Sequence, residues 1–374
     1  MYSEADSGWA VKTLPLELRL LIDCCRANFA RRGSERFVQS YTAVDWERFS
    51  SLAKRHRVEG LAWHGLRTLA LHPPKDFATQ LLSISRQIAQ DGLRVAFASE
   101  RLRSEFASRN MPLLFLKGLS VGHLAYGDAF RKSAADLDIL VSPDQIAQAA
   151  ALLRELGYQA VSPACDSDDI IRRWHRVSKE STWLDHEANH CLELHSALTD
   201  HQDLLIGLGT GSPVQQVMVM PGVTIGTFAT DELVAYLCVH GASSAWFRLK
   251  WIADLAGLLA GATEEELSRL LGRARLLGAG RAAEQAFLLI CFLFPLLPED
   301  APLARALQRD RTAMWLARRS LAQLLASEPT ARPLGTLTIH LTQLMLGQGR
   351  RSAWREFRRQ ITQRWQTNSF PNAA

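Results

Sequence analysis

From the N-terminus to Arg109, apolar residues recur at helical spacing. Leu14–Phe29 sets Leu18, Leu21, Ile22 and Cys25 along one face. Asp45–Leu71 does the same with Leu52, Val58, Leu61, Leu66 and Leu69, until Pro73 and Pro74 interrupt the pattern. Phe77–Arg109 predicts one long helix through Leu81, Ile84, Ile88, Leu93, Phe97, Leu102 and Phe106, ended by Asn110 and Pro112. These segments group no chemistry together and read as a helical packing layer.

The pattern changes at Met111. Pro112–Leu116 is a short apolar run after a breaker, as a buried strand would be, and Leu137–Val141 is a second, bounded by Asp136 and by Ser142 and Pro143. Pro143–Leu156 returns to helical spacing through Ile146, Ala149, Leu152 and Leu153, with proline in its first turn and Gly157 as its stop. Ser181–Leu184 and Cys191–His195 predict further strands, so residues 111–196 form an α/β unit. Gly207–Thr230 is glycine-rich with one or two short β stretches. Helices are expected at Asp231–Ser243, Trp246–Leu259, Thr263–Leu277, Arg281–Phe294, Leu303–Ala326 and Arg351–Trp365.

The chain has 374 residues, 47% of them hydrophobic and 22% charged, a composition of globular proteins that excludes collagen-like and disordered classes. Forty-three basic and thirty-eight acidic residues leave a net charge of +5. That mild excess tolerates phosphate-bearing partners without demanding nucleic acid. The six cysteines form no CxxC pair and no zinc-like spacing, and are expected to be reduced thiols of a cytoplasmic protein. The N-terminal segment shows no signal-peptide pattern. The longest apolar run, Ala286 to Leu297, is broken by Pro295 and falls short of the roughly twenty residues a spanning helix needs.

Candidate chemistry gathers in the α/β unit. Asp136 and Asp138 project from one face of their strand while Leu137, Ile139 and Val141 project from the other. Two carboxylates held this close repel unless a cation lies between them, and oxygen ligands favour Mg²⁺ or Mn²⁺ over zinc. In the strand Cys191–His195, Glu193 and His195 share a face with Cys191, opposite Leu192 and Leu194. If that strand lies beside Leu137–Val141, Glu193 becomes a third acid facing the aspartates, a set able to hold two metal ions for in-line phosphoryl transfer; an edge strand would instead leave Glu193 in water. Upstream, Lys117, Gly118 and Ser120 follow a strand and open a helix, where backbone N–H groups favour phosphate. Arg131 and Lys132 are candidates to neutralise a triphosphate.

In order along the chain, Leu116–Ser120 (LKGLS), Tyr126, Arg131, Asp136–Val141 (DLDILV) and Leu192–His195 (LELH) resemble the uncharacterised nucleotidyltransferase family of the polymerase-beta-like superfamily. Asp231–Leu237, His240, Gly241, Trp246, Arg248, Leu249, Trp251, Asp254 and Leu255 resemble that family's helical stretch, and Trp46 with Arg55–Val58 its N-terminal region. The resemblance implies that Asp136 and Asp138 bind Mg²⁺ (or Mn²⁺), with Glu193 as third ligand or as base for the acceptor hydroxyl. It implies that Lys117, Gly118, Ser120 and Arg131 contact nucleotide phosphates, although Leu119 separates Gly118 from Ser120 where the superfamily has Gly-Ser. It places Arg248 in a segment facing the nucleotide or acceptor.

The expected fold is α+β, a small mixed-sheet nucleotidyltransferase core over 111–228, flanked by N-terminal helices over 1–110 and a C-terminal helical domain over 229–374. The implied activity moves a nucleoside monophosphate from an NTP to a hydroxyl on a small molecule, peptide or protein, with release of pyrophosphate. An inactive binding or regulatory protein on the same fold is the alternative, with RNA binding through the arginine-rich C-terminus a further one. His186 and His190 are spaced for a helical metal pair but are expected in a turn. The segment Arg350–Trp365, with Trp354, Phe357, Ile361 and Trp365 along one stripe, is expected to be a docked amphipathic helix with a solvated arginine face; no membrane partner is expected.

Overall fold

The N-terminal periodicity forms four helices, α1 (Leu16–Arg26), α2 (Trp46–His56), α3 (Glu59–Thr68) and the long α4 (Lys75–Ser108). The structure, a computed structural model, describes residues 14–29, 41, 43–134, 136–186, 190–294, 296–298, 300–326, 336–367 and 370. The continuous pattern of Asp45–Leu71 is two helices rather than one. Asp45 caps α2 by accepting from the Arg48 amide, and Arg57 ends it in the left-handed conformation at φ 54°. That turn is made without glycine or asparagine, so composition carries no trace of it.

The α/β unit runs β1 (Leu114–Phe115), α5 (Leu119–Tyr126), β2 (Asp136–Leu140), α6 (Ile146–Glu155), β3 (Gln159–Ser162), α7 (Asp168–Trp174), β4 (Glu180–Asp185) and β5 (His190–His195). Five strands make one mixed sheet in the order β1-β2-β5-β4-β3. β2 and β5 pair in parallel, while β1 on β2, β4 on β5 and β3 on β4 are antiparallel. A hairpin, β6 (Val214–Met220) and β7 (Val223–Phe228), packs beside β1, α4 and α5. β3 and α7 were not expected. β3 is four residues long with no clean alternation, and α7 is two turns opened by a Ser167 cap.

The C-terminal part comprises α8 (Thr230–Ser243), α9 (Leu249–Leu259), α10 (Glu264–Leu276), α11 (Gly280–Leu293), α12 (Pro302–Leu307), α13 (Arg311–Leu325), α14 (Leu337–Leu346) and α15 (Gly349–Thr367). Thr263 and Glu266 close a capping box at α10. The expected helix Leu303–Ala326 is split because Asp310 caps α13, accepting from the Thr312 and Ala313 amides. α9 starts three residues later than expected, since Ala245 and Trp246 take positive φ values of 50° and 52°.

Two apolar cores hold these elements. One combines α1–α3 with α8–α13; the other joins the inner face of the sheet to α4, α6 and the hairpin. Leu137, Ile139, Leu192 and Leu194 all lie in the second core. The alternate positions of β2 and β5 are thereby turned the other way, toward α8 and α9.

Candidate active site

Asp138 and Glu193 are Cα partners in the parallel β2–β5 ladder, as are Asp136 with Cys191 and Leu140 with His195. Partners in register project side chains to the same side, so the two acids stand together. The Asp138 side chain is 2% exposed and that of Glu193 28%. Lys117, from the turn after β1, brings its Nζ to 2.6 Å from Asp138 Oδ1 and 3.7 Å from Glu193 Oε2. Burial alone would raise the Asp138 carboxyl, but the Lys117 ammonium and His195 outweigh it and hold Asp138 below the usual carboxylate range. Burial likewise works against the Lys117 charge, and the Asp138 and Glu193 carboxylates reverse the effect, holding the lysine above its ordinary value.

His195 completes the group. Its Nε2 lies 3.5 Å from Asp138 Oδ1 and 3.6 Å from Glu193 Oε2, and its Nδ1 is 3.3 Å from Glu180 Oε2. The side chain is 2% exposed, yet among the described residues neither ring nitrogen makes a hydrogen bond of ordinary geometry. An orphaned imidazole nitrogen facing two carboxylates is a donor set that suits a divalent cation. Ligand atoms of Asp138, Glu193 and His195 all fall within 4.8 Å of one another. Imidazole beside carboxylates suits Mn²⁺ at least as well as Mg²⁺. Alternation along β5 already put His195 on the Glu193 face; an oxygen-only view of the ligands left it out.

Asp136 stands outside that group, exposed at the open start of β2. Desolvation by its surroundings, then repulsion from Asp138 and Glu193, raises its carboxyl, with Lys117 and Lys250 opposing. It lines a small cavity of about 60 Å³ together with Asp138, Lys117 and Gly118. Gly118 sits at φ 72° as the N-cap of α5, a backbone state that favours glycine, and the start of α5 thus opens on the aspartates. Ser120 is fully buried in the first turn of α5, its Oγ 3.4 Å from the Lys117 carbonyl.

Lys132, just before β2, adds to the wall of this cavity, and distant parts of the chain join it: Arg57 at the end of α2, and His240, Lys250, Trp251 and Asp254 from α8 and α9. Lys132 pairs with Asp254, both side chains 8% exposed, and Asp254 also accepts from the Tyr126 hydroxyl at 2.9 Å. Burial, reinforced by Lys132, lowers Lys250 to about 8. Burial also holds His240 well below its ordinary value, as a neutral ring. Arg131 pairs with Asp128 at 3.5 Å, and Arg248 lies over the Phe247 ring at 5.1 Å. Neither arginine is on the cavity wall. His190, from the expected turn, instead hydrogen-bonds the Tyr158 hydroxyl at 2.7 Å; Glu187 and Asn189 lie outside the described residues.

Across the carboxylates a second cavity, about 320 Å³, is lined by Glu193, His195, Lys179, Thr199, His201 and Arg359. Lys117 and His240 belong to both walls. The acid cluster therefore separates a basic recess at the start of α5 from a larger polar cleft.

A mixed sheet with acids on neighbouring parallel strands, beside a glycine turn that opens a helix, defines a nucleotidyltransferase core. The sequence profile of the family described as "Uncharacterised nucleotidyltransferase" matches residues 42–295, and the chain belongs to that family. It is a nucleotidyltransferase enzyme. No curated protein matches the chain. Among the described residues, no helix is long and apolar enough to cross a membrane.

Proposed function

We propose that the enzyme transfers a nucleoside monophosphate from an NTP to a hydroxyl of a small-molecule or peptide acceptor, releasing pyrophosphate, with Mg²⁺ or Mn²⁺ held by Asp138, Glu193 and His195 and supported by Asp136. The observation that carries this reading is the in-register pairing of Asp138 with Glu193, with a basic recess on one side and an open cleft on the other. The divalent ion supplies charge neutralisation at the triphosphate and lowers the pKa of the acceptor hydroxyl.

The chain's own residues supply position and charge. The recess is too small for a whole nucleotide and matches a phosphate tail laid against Gly118 and the first amides of α5. Lys250, Lys132 and Arg57 stand around it as cations. Lys117 neutralises Asp138 and Glu193 when no other cation does so; its ammonium can pair with phosphate oxygens once one is bound. Glu193, partly exposed to the larger cleft, is placed to accept the proton of an incoming hydroxyl. Ser120, Arg131 and Arg248 complete the set implied by the resemblance. Of these, Ser120 acts through the shape of the Gly118 turn, and the two arginines act from beyond the recess.

Calorimetric titration of the four NTPs, with and without Mg²⁺ or Mn²⁺, tests the reading against the double variant Asp136→Asn/Asp138→Asn. Metal-dependent binding by the wild type that disappears in a folded variant is the expected result. Unchanged metal–NTP affinity in the variant would overturn the assigned site.

A further inference from the structure

Beyond the carboxylate cleft lies a larger groove of about 480 Å³, formed by the loop after α7, the segment that follows β5, and α15. That volume is in the range of small-molecule sites, roughly 300–1,000 Å³. α15 is tied down over it. Ser352 Oγ donates to Asp203 at 2.6 Å, Arg355 pairs with Asp203 at 2.8 Å, and Gln363 donates to the Val177 carbonyl at 3.0 Å. The groove shares Lys179, Thr199, Asp200, His201, Glu356 and Arg359 with the Glu193 cleft, so the two are continuous.

The charge in this groove is unbalanced. Its three acids are already engaged: Asp203 by Arg355 and Ser352, Glu356 by Arg359, and Asp200 by the Lys179 amide at 2.9 Å. Arg176 and Arg358, one from the loop and one from α15, have no carboxylate partner among the described residues. At the junction with the cleft, His201 is 6% exposed. Its Nδ1 accepts from the Asp203 amide at 3.3 Å, which puts the ring proton on Nε2, and that nitrogen has no partner among the described residues. A buried donor without an acceptor and two arginines without acids point to oxygen atoms of a bound anion.

We propose that this groove is the acceptor subsite and that it takes a small anionic, hydroxyl-bearing molecule. Its phosphate or carboxylate is held by Arg176 and Arg358, and its hydroxyl is led past His201 to Glu193. The proposal rests on the nucleotidyl-transfer reading of the carboxylate site. In the reaction the acceptor oxygen bonds to the α-phosphorus, and the bridging bond from the α-phosphorus breaks. Pyrophosphate leaves with that electron pair, and the hydroxyl proton passes to Glu193.

The full chain, saturated with a metal complex of a non-hydrolysable NTP analogue, is titrated with sn-glycerol 3-phosphate and separately with D-glycerate. These are small probes that pair a hydroxyl with each anion. The wild type is expected to bind at least one of them, and the choice between them identifies the anion. Arg176→Gln/Arg358→Gln is expected to weaken that binding by about tenfold or more while its metal–NTP affinity stays within about twofold, because neither arginine is in the recess. Equal probe binding by wild type and variant, or no binding of either probe by the wild type, overturns the proposal. A single-stranded RNA that displaces the probe, with a steep salt dependence lost in the variant, overturns it in favour of a nucleic-acid face. Probe binding by a wild type that binds no nucleotide overturns the transfer reading and the acceptor role with it, and leaves only an anion groove.

Discussion

Asp138 and Glu193 face each other across a parallel strand pair, and one lysine, Lys117, reaches both carboxylates. The pairing puts two negative charges where neither can move away, because each is flanked along its strand by leucine or isoleucine fixed in the core. A cation there is an electrostatic requirement, which the Lys117 ammonium meets.

Removing one member of the group should therefore affect metal and fold differently. Glu193→Gln is expected to reduce Mn²⁺-dependent NTP affinity by about 10–100-fold with little loss of stability, since Asp138 still pairs with Lys117. Asp138→Asn should also destabilise the fold, by up to about 3 kcal/mol, because it leaves Lys117 beside an uncharged partner; the partial exposure of Lys117 keeps the loss below that of a fully buried pair. Urea denaturation and calorimetry on the same samples separate the two effects. Equal stability losses in both variants would contradict this arrangement.

The Lys132–Asp254 pair fastens the turn before β2 to α9, and both side chains are nearly enclosed. Asp254→Ala strands the Lys132 ammonium and the Tyr126 hydroxyl together, for an expected loss of about 3–5 kcal/mol. Lys132→Met combined with Asp254→Leu removes both charges and should recover most of that stability without recovering nucleotide binding. A double variant as unstable as Asp254→Ala would show that the pair is not the source of the loss.

Lys250 gives the recess a pH dependence with a definite sign. Its pKa of about 8 means the positive charge it brings to the recess is lost as pH rises through that value. Metal–NTP affinity should fall between pH 7 and pH 9, and Lys250→Arg should abolish the fall because guanidinium stays charged. Stability moves the other way. The folded state binds fewer protons than the unfolded chain from about pH 8 to about 10.4, so this group's contribution to stability rises over that window. Affinity that stays level in the wild type across pH 7–9 would remove Lys250 from the phosphate contacts.

Much of this site was legible from residue alternation. The faces of Asp136–Val141 and Cys191–His195 put Asp138, Glu193 and His195 opposite the core residues, and pairing the two strands was the one added assumption. The ladder register bears it out. What escaped was of two kinds. Arg57 and Lys250 reach the recess only through packing of α2 and α9 on the α/β unit, a relation that no local spacing encodes. Arg57 also ends α2 in a left-handed turn, and Ala245 and Trp246 delay α9 at positive φ, all without glycine to mark the break. Ser120 shows a third limit. Its place in the motif suggests phosphate, whereas the turn of α5 buries its hydroxyl against the Lys117 carbonyl.

One tight backbone contact also ties the N-terminal helices to the site. A Cβ on Gly60 would lie 2.2 Å from the Arg131 carbonyl oxygen, and a carbonyl in a capped turn cannot swing aside as a flexible side chain could. Gly60→Ala should cost about 1–3 kcal/mol by overpacking. It should also weaken nucleotide binding, because the displaced turn leads through Lys132 to Asp136. Gly272, inside α10, is the internal control: a Cβ there meets nothing within 4 Å among the described residues, so Gly272→Ala should stabilise the protein by about 0.5–1 kcal/mol through helix propensity alone and leave binding unchanged. Thermal denaturation should shift in opposite directions for the two variants, and metal–NTP titration should show a loss for Gly60→Ala alone. A Gly60→Ala protein with wild-type stability and affinity would show that the Arg131 turn yields freely and that α3 does not brace the site.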